Sequence, residues 1–301
     1  MASSTDAISL DVEHVSVTYP NGHQAIRDIS FTLQGRTVCA LVGVNGSGKS
    51  TLFNTIMGII RPQSGSVRVN GLPVAQAMRQ NGIAYVPQSE NIDWHFPILV
   101  KDVVMLGRYG HMGMLRRPQA PDREAVAAAM ERLGISDLAG RQIGALSGGQ
   151  KKRVFLARAL AQQSRIILLD EPFTGVDAKT EFAVMELLKT LRDEGYLILV
   201  STHNLGAVPQ YCNEVVLINR ELIAHGDIHE IYTVDNLERA FGGVLRHFDL
   251  PHSHDDAGGR LPVGIMTDDE RPLVLVGGRS AVRGNPDCSA AVPRSDGSTP
   301  A

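Results

Sequence analysis

A chain of 301 residues with 43% hydrophobic and 20% charged side chains and a formal net charge of −3 can bury a large core behind an ordinary polar surface. It has no apolar run near the roughly 20 residues that a bilayer-spanning helix needs, and no long basic stretch to lay a footprint on nucleic acid. The three cysteines, Cys39, Cys212 and Cys288, form no CxxC spacing, which suits a reducing compartment and offers no metal framework.

The opening residues Met1 to Asp6 have neither a basic n-region nor an apolar h-region, so no secretory signal is expected and the chain is placed in the cytoplasm. From 8 to 33 the pattern alternates and predicts antiparallel strands over 8–12, 14–19 and 25–33, with a turn at Pro20-Asn21-Gly22. Tyr19 closes the second of these; an aromatic so placed can stack on a nucleotide base, and a half-buried strand tyrosine is the alternative. Residues 37–42 are almost continuously apolar and run into Gly43-Val44-Asn45-Gly46-Ser47-Gly48-Lys49-Ser50, followed by a helical pattern over 50–59. Strand, glycine-rich loop and helix are the setting in which backbone N–H groups cradle phosphates, Lys49 reaches the β- and γ-phosphates and the Ser50 hydroxyl ligates Mg²⁺.

Short strands are expected over 66–69 and 82–86, and from about 100 to 161 the residues favour helix, with Val126, Met130, Leu133, Val154, Phe155, Ala159 and Leu160 at helical spacing. That is a helical insertion within an α/β protein. Within it, Leu146-Ser147-Gly148-Gly149-Gln150 precedes a helix carrying Lys151, Lys152 and Arg153. Its exposed amides could hold a phosphate, although the commoner role of such a serine is capping the helix.

Buried-strand patterns return at 165–169 and 197–200, flanking a helix over 178–192, and predict parallel strands with crossover helices. Asp170 and Glu171 stand at the C-terminal end of the first, where open α/β sheets place their ligand crevice. Asp170 suits Mg²⁺, and Glu171 the attacking water of phosphoanhydride hydrolysis. His203 ends the second strand and is assigned to γ-phosphate contact and transition-state charge, while Gln88, after the strand at 83–86, can touch Mg²⁺ or the water. A hairpin over 215–224 and a single helix over 227–241 are expected next. Beyond Leu250 the chain turns rich in Gly, Pro, Asp and Ser, with one short strand expected at 272–276.

In this order, Gly43 to Ser50, Gln88, Leu146 to Gln150, Ile166 to Glu171, Asp177 and His203 resemble the nucleotide-binding subunit of an ATP-binding cassette (ABC) transporter, over 8–241. The resemblance implies an α/β fold of the P-loop NTPase type. It would have a RecA-like parallel-sheet core, an N-terminal antiparallel β-subdomain and an inserted helical subdomain. The ATPase domain is placed at 8–246, with the insertion over about 90–161 and a flexible tail over 247–301. ATP and Mg²⁺ are the implied cofactors. The nucleotide-binding set is Tyr19, Gly43, Asn45, Gly46, Ser47, Gly48, Lys49, Ser50, Thr51, Ser147, Gly148, Gly149 and Gln150. Glu171, His203 and Gln88 form the catalytic set, and Ser50, Gln88 and Asp170 the metal set. In that family two copies bind ATP head to tail, so Ser147 to Gln150 of one copy would face the γ-phosphate held by Lys49 of the other. Asp177 matches the loop that communicates across the dimer, although Thr174-Gly175-Val176 replaces the commoner Ser-Ala-Leu before it.

The stretch from Val86 through Gln88 and Trp94 to Pro97, continued by Val103 to Gly110, is similar to the ATPases of manganese, zinc and iron importers, as is Glu171 to Asp177. The implied partners are a second copy, an integral membrane permease and an extracytoplasmic metal-binding protein, with no nucleic acid. The subunit would lie on the inner face of the membrane through the permease. Trp94, beside Phe96, would be an anchor for the permease or part of the core. His247, His252, His254, Asp255 and Asp256 could bind a metal, or form a solvated segment. Rival readings are an importer ATPase for iron-siderophore, haem or cobalamin, a soluble ABC ATPase outside transport, and a regulatory nucleotide binder.

Overall fold

The computed structural model describes residues 8–88 and 96–242, together with the backbone of three strands further on. Strand β1 (Ser9–Thr18) pairs antiparallel with β2 (Gln24–Gln34) on one side. On the other side it pairs with β4 (Ser64–Val69), which continues to β5 (Leu72–Pro73). β1 is one strand where the sequence predicts two. Val12 faces Phe31 while Val15 faces Ile29, and His14 takes a φ of 50°. The extra residue is a bulge that shifts the side-chain phase, so Leu10 and Val12 before it and Val15 and Val17 after it all reach the core.

A second sheet of six strands runs in the order β10-β9-β3-β8-β7-β6. Its parallel members are β3 (Thr37–Val42), β6 (Ile83–Val86), β7 (Ile166–Asp170), β8 (Leu197–Ser201) and β9 (Glu214–Asn219). β10 (Glu221–Asp227) returns antiparallel at the edge. Every residue of β3 is buried, and its alternate side chains feed two cores. Val38, Ala40 and Val42 pack with the helical insertion, whereas Cys39 and Leu41 pack with the antiparallel sheet. A strand covered on both faces has no polar side to show, which is why it reads as a continuous apolar run.

The helices are α1 (Lys49–Ile56), α2 (Val74–Arg79), α3 (Val100–Met105), α4 (Ala120–Arg132), α5 (Gly148–Ala161), α6 (Ala178–Asp193), α7 (Val208–Tyr211), α8 (Ile228–Ile231) and α9 (Val234–Phe241). The helix-favouring stretch 100–161 is therefore three helices joined by irregular chain and short 3₁₀ turns. A buried Arg108–Asp122 pair (3.1 Å) ties them together, with Arg108 also donating to the Ala161 carbonyl (2.9 Å) and the Gln163 side chain (2.7 Å). The single helix expected at 227–241 breaks at Tyr232. Its buried hydroxyl donates a hydrogen bond to the Leu205 carbonyl (2.9 Å), and the Thr233 hydroxyl starts α9 afresh by accepting from the Asn236 amide (3.4 Å).

Further along, β11 (Arg246–Asp249), β12 (Val263–Thr267) and β13 (Leu273–Val276) form an antiparallel sheet in that order. The strand expected near 272–276 is β13; it pairs with β12, which pairs in turn with β11, and the composition suggested neither of those two strands.

Candidate functional site

The sheet order brings four chain segments to one edge. β3, β8, β7 and β6 are neighbours and parallel, so the phosphate loop, His203, the Asp170-Glu171 pair and Gln88 all leave adjacent strands at their C-terminal ends.

The loop's shape depends on close approach. A side chain at Gly43 would put a Cβ 2.2 Å from the Ile218 carbonyl, and Gly48 holds a φ of 100° with Ile26 directly behind it. The loop is also braced from outside: the Arg220 amide donates to the Ser47 carbonyl (2.8 Å) and the Arg27 amide to the Arg220 carbonyl (2.7 Å). Lys49 is buried at the loop's centre, where Nζ donates to the carbonyls of Gly43 (2.6 Å) and Val44 (3.1 Å). Asn45, Gly46 and Ser50 face outward. Tyr19, half-buried, shares a hydrogen bond with the Thr51 hydroxyl (3.0 Å), which seats its ring beside the first turn of α1.

Glu171 is held from both sides. Gln88 Nε2 donates to one carboxylate oxygen (2.5 Å), and His203 Nδ1 lies 3.3 Å from the other. Its backbone has a φ of 47°, a left-handed conformation that persists in a glutamate only when surroundings enforce it. The Ser201 carbonyl (3.2 Å) and hydroxyl (3.1 Å) accept from the Glu171 amide, and Lys152 Nζ donates to its carbonyl (3.1 Å). Asp170 accepts from the Ser201 hydroxyl (2.5 Å) and from the Tyr85 hydroxyl (3.4 Å). Burial, with the Asp170 carboxylate adding to it, pushes the Tyr85 hydroxyl up to about 12, so it stays a donor.

Ser201, Tyr85 and Lys152 are absent from the sequence-predicted site. Only Ser201 left a trace, as the one polar residue closing the apolar run 197–200.

The donors that could meet a divalent cation are the Ser50 hydroxyl, an Asp170 carboxylate already oriented by two hydroxyls, and the amide oxygen of Gln88, whose Nε2 is the atom engaged with Glu171. An all-oxygen set of this kind suits a hard ion such as Mg²⁺.

Ser147 caps α5: its hydroxyl accepts from the Gln150 amide (3.3 Å), and the Gln150 side chain accepts from the Ser147 amide (3.0 Å). Ser147 and Gly148 remain exposed. Gly149 is buried against the next loop, where an added Cβ would lie 3.2 Å from Thr180 and 3.4 Å from Asp177. Asp177 itself caps α6 through the Thr180 amide (3.0 Å) and hydroxyl (2.8 Å), and those bonds hold its carboxyl below the usual range. Trp94, His252, His254, Asp255 and Asp256 lie outside the described residues, and the side chain of His247 is likewise not described.

Residues 26–174 match the family model of the ABC transporter. The chain is 60% identical over 270 residues to the chelated iron transport system membrane protein YfeB of Yersinia pestis, covering 89% of this chain and 91% of that protein. It is 52% identical to the manganese transport system ATP-binding protein MntA of Synechocystis, covering 81% of this chain and 94% of that protein. Among solved structures, a metal-chelate type ABC transporter in an inward-facing conformation is similar, with a TM-score of 0.70 and 28% identity over 83% of this chain and 94% of that one.

Proposed function

This chain belongs to the ABC transporter family as an ATP-binding subunit, and from that premise we propose that it hydrolyses ATP to drive a transition-metal ion of the manganese, zinc and iron class inward through a separate membrane permease. The observation that supports this reading most is the convergence of Gly43 to Ser50, Gln88, Asp170, Glu171 and His203 on one sheet edge, in a chain 60% identical to an iron-transport subunit.

The amides of the phosphate loop and Lys49 bind the phosphates, and Tyr19 stacks on the base. Ser50, Asp170 and Gln88 hold Mg²⁺, which neutralises charge on the phosphate oxygens when bound. Glu171 orients the attacking water, and Gln88 and His203 fix its carboxylate so that little reorganisation remains at the moment of reaction. His203 is also assigned to the γ-phosphate. A second copy closes the site by offering Ser147, Gly148, Gly149 and Gln150, so that ATP draws two chains together and hydrolysis releases them.

No helix among the described residues is long and apolar enough to cross a membrane. As an ATP-binding subunit of a transporter, the chain is placed on the cytoplasmic face, held there by the permease, with an extracytoplasmic metal-binding protein completing the complex. Phe96, Leu106, Tyr109, Met114 and Leu115 stand exposed on the insertion, with Met114 98% accessible, and form the apolar ground on which the permease docks.

The test is copurification of the complex, reconstitution into vesicles and ATP-driven uptake of Mn²⁺ or Fe²⁺. Uptake is lost in Lys49→Ala, and uptake that survives this change overturns the reading. A chelated metal is the second reading, favoured by the metal-chelate type neighbour and by the chelated-iron relative. Offering the same vesicles free ion and chelate separates the two.

A further inference from the structure

Helix α5 does two things at once. Its first residues are the segment offered to a second copy, while one of its faces is bonded to the strands that carry this chain's own site. Lys152, Phe155, Arg158 and Gln162 recur at helical spacing along that face. Gln162 Nε2 donates to the Ile83 carbonyl (2.8 Å) and Arg158 to the Tyr85 carbonyl (3.0 Å), both on the strand that leads to Gln88. Arg158 also lies 4.9 Å over the Phe155 ring. Lys152, only 9% exposed, donates to the Glu171 carbonyl (3.1 Å).

Lys152 therefore sits two residues beyond Gln150 and on the peptide of Glu171, the one residue of the catalytic set with a left-handed backbone. Ser201 fixes the amide of Glu171 from the neighbouring strand, so that end is set by the sheet. The carbonyl end is set by a helix, and α5 is the helix whose start meets the second nucleotide. We infer that Lys152 is a positioning residue that links the two ATP sites of the dimer: closure of Ser147 to Gly149 on one nucleotide moves α5, and Lys152 carries that movement to the Glu171 that acts on the other. The inference rests on the proposed roles of Glu171 and of the shared site.

The experiment uses the full chain with ATP and Mg²⁺, comparing Lys152→Met, which keeps the aliphatic stem and loses the donor, with Lys152→Arg, which keeps a donor. Lys152→Met is expected to lower kcat about ten-fold, equivalent to about 1.4 kcal/mol of barrier. Its KM for ATP should stay within about two-fold and its melting temperature unchanged, and the Hill coefficient for ATP should fall towards one. Lys152→Arg should recover most of kcat and of the cooperativity. A normal kcat and Hill coefficient in Lys152→Met overturns the inference. So does a loss that Lys152→Arg fails to recover, or one that accompanies a lowered melting temperature, since either marks plain packing. Glu171→Gln run alongside separates the levels: full turnover in Glu171→Gln removes the underlying reading, whereas a dead Glu171→Gln beside a normal Lys152→Met removes this inference alone.

Discussion

The sheet edge and the start of α5 satisfy their polar groups in opposite ways. At the edge, residues far apart in sequence meet: Gln88 bonds to Glu171, Ser201 to Asp170 and to the Glu171 amide, and His203 Nδ1 lies 3.3 Å from the Glu171 carboxylate. At the start of α5, the Ser147 and Gln150 side chains cap each other's backbone amides, and Gly148 is left exposed. An edge built that way is preorganised within one chain. A capped helix end with bare glycine is complete as structure, and in the proposed function its contribution to chemistry is made at the nucleotide of a second chain.

The largest effect falls on the edge. Lys49→Ala is expected to cut ATPase activity by about 100-fold or more, read as phosphate release, because it removes the cation at the centre of the phosphate loop. The counterpart at α5 is smaller. Gly149→Ala presses a Cβ to 3.2 Å from Thr180 and is expected to lower kcat about ten-fold, with ATP affinity within about two-fold. A large loss of ATP affinity by the single, undimerised chain of that variant would break the contrast, since it would place α5 in the chain's own nucleotide site.

Tyr19→Ala should weaken ATP about five-fold, roughly 1 kcal/mol of stacking, with kcat nearly unchanged, while Tyr19→Phe keeps the ring and loses only the Thr51 bond. Titration of nucleotide fluorescence measures both.

The smallest effect is on stability. Asp177 is held ionised by the Thr180 hydroxyl and amide, and Asp122 by the Gln119 amide and the Arg108 guanidinium. Carboxyls depressed in the folded state add stability that is fully present above the unfolded value of about 3.9 and is lost as pH falls through the lower folded value. The melting temperature should therefore fall below about pH 4, and Asp122→Asn should flatten that slope.

The phosphate loop, the acidic strand end and the insertion were legible because each is local: glycines beside a strand, an acid after four apolar residues, apolar spacing along a helix. His14 and Tyr232 were not. The bulge at His14 is defined by its partner strand and made one strand read as two, and Tyr232 leaves its helix for a carbonyl 27 residues away. Within the site, Lys152 read as one more cation beside Lys151 and Arg153, since nothing along the chain ties it to Glu171. Such contacts are set by sheet order, which brings β6, β7 and β8 together across long crossovers.

The central claim, that one nucleotide is completed by two chains, is tested most directly by the mass in solution of the full-length Glu171→Gln variant with saturating ATP and Mg²⁺. Light scattering should give twice the mass of one chain with ATP and a single chain without it, and the doubling should vanish when Lys49→Ala is added. A single-chain mass at saturating ATP, with hydrolysis blocked and ATP bound, would contradict the account.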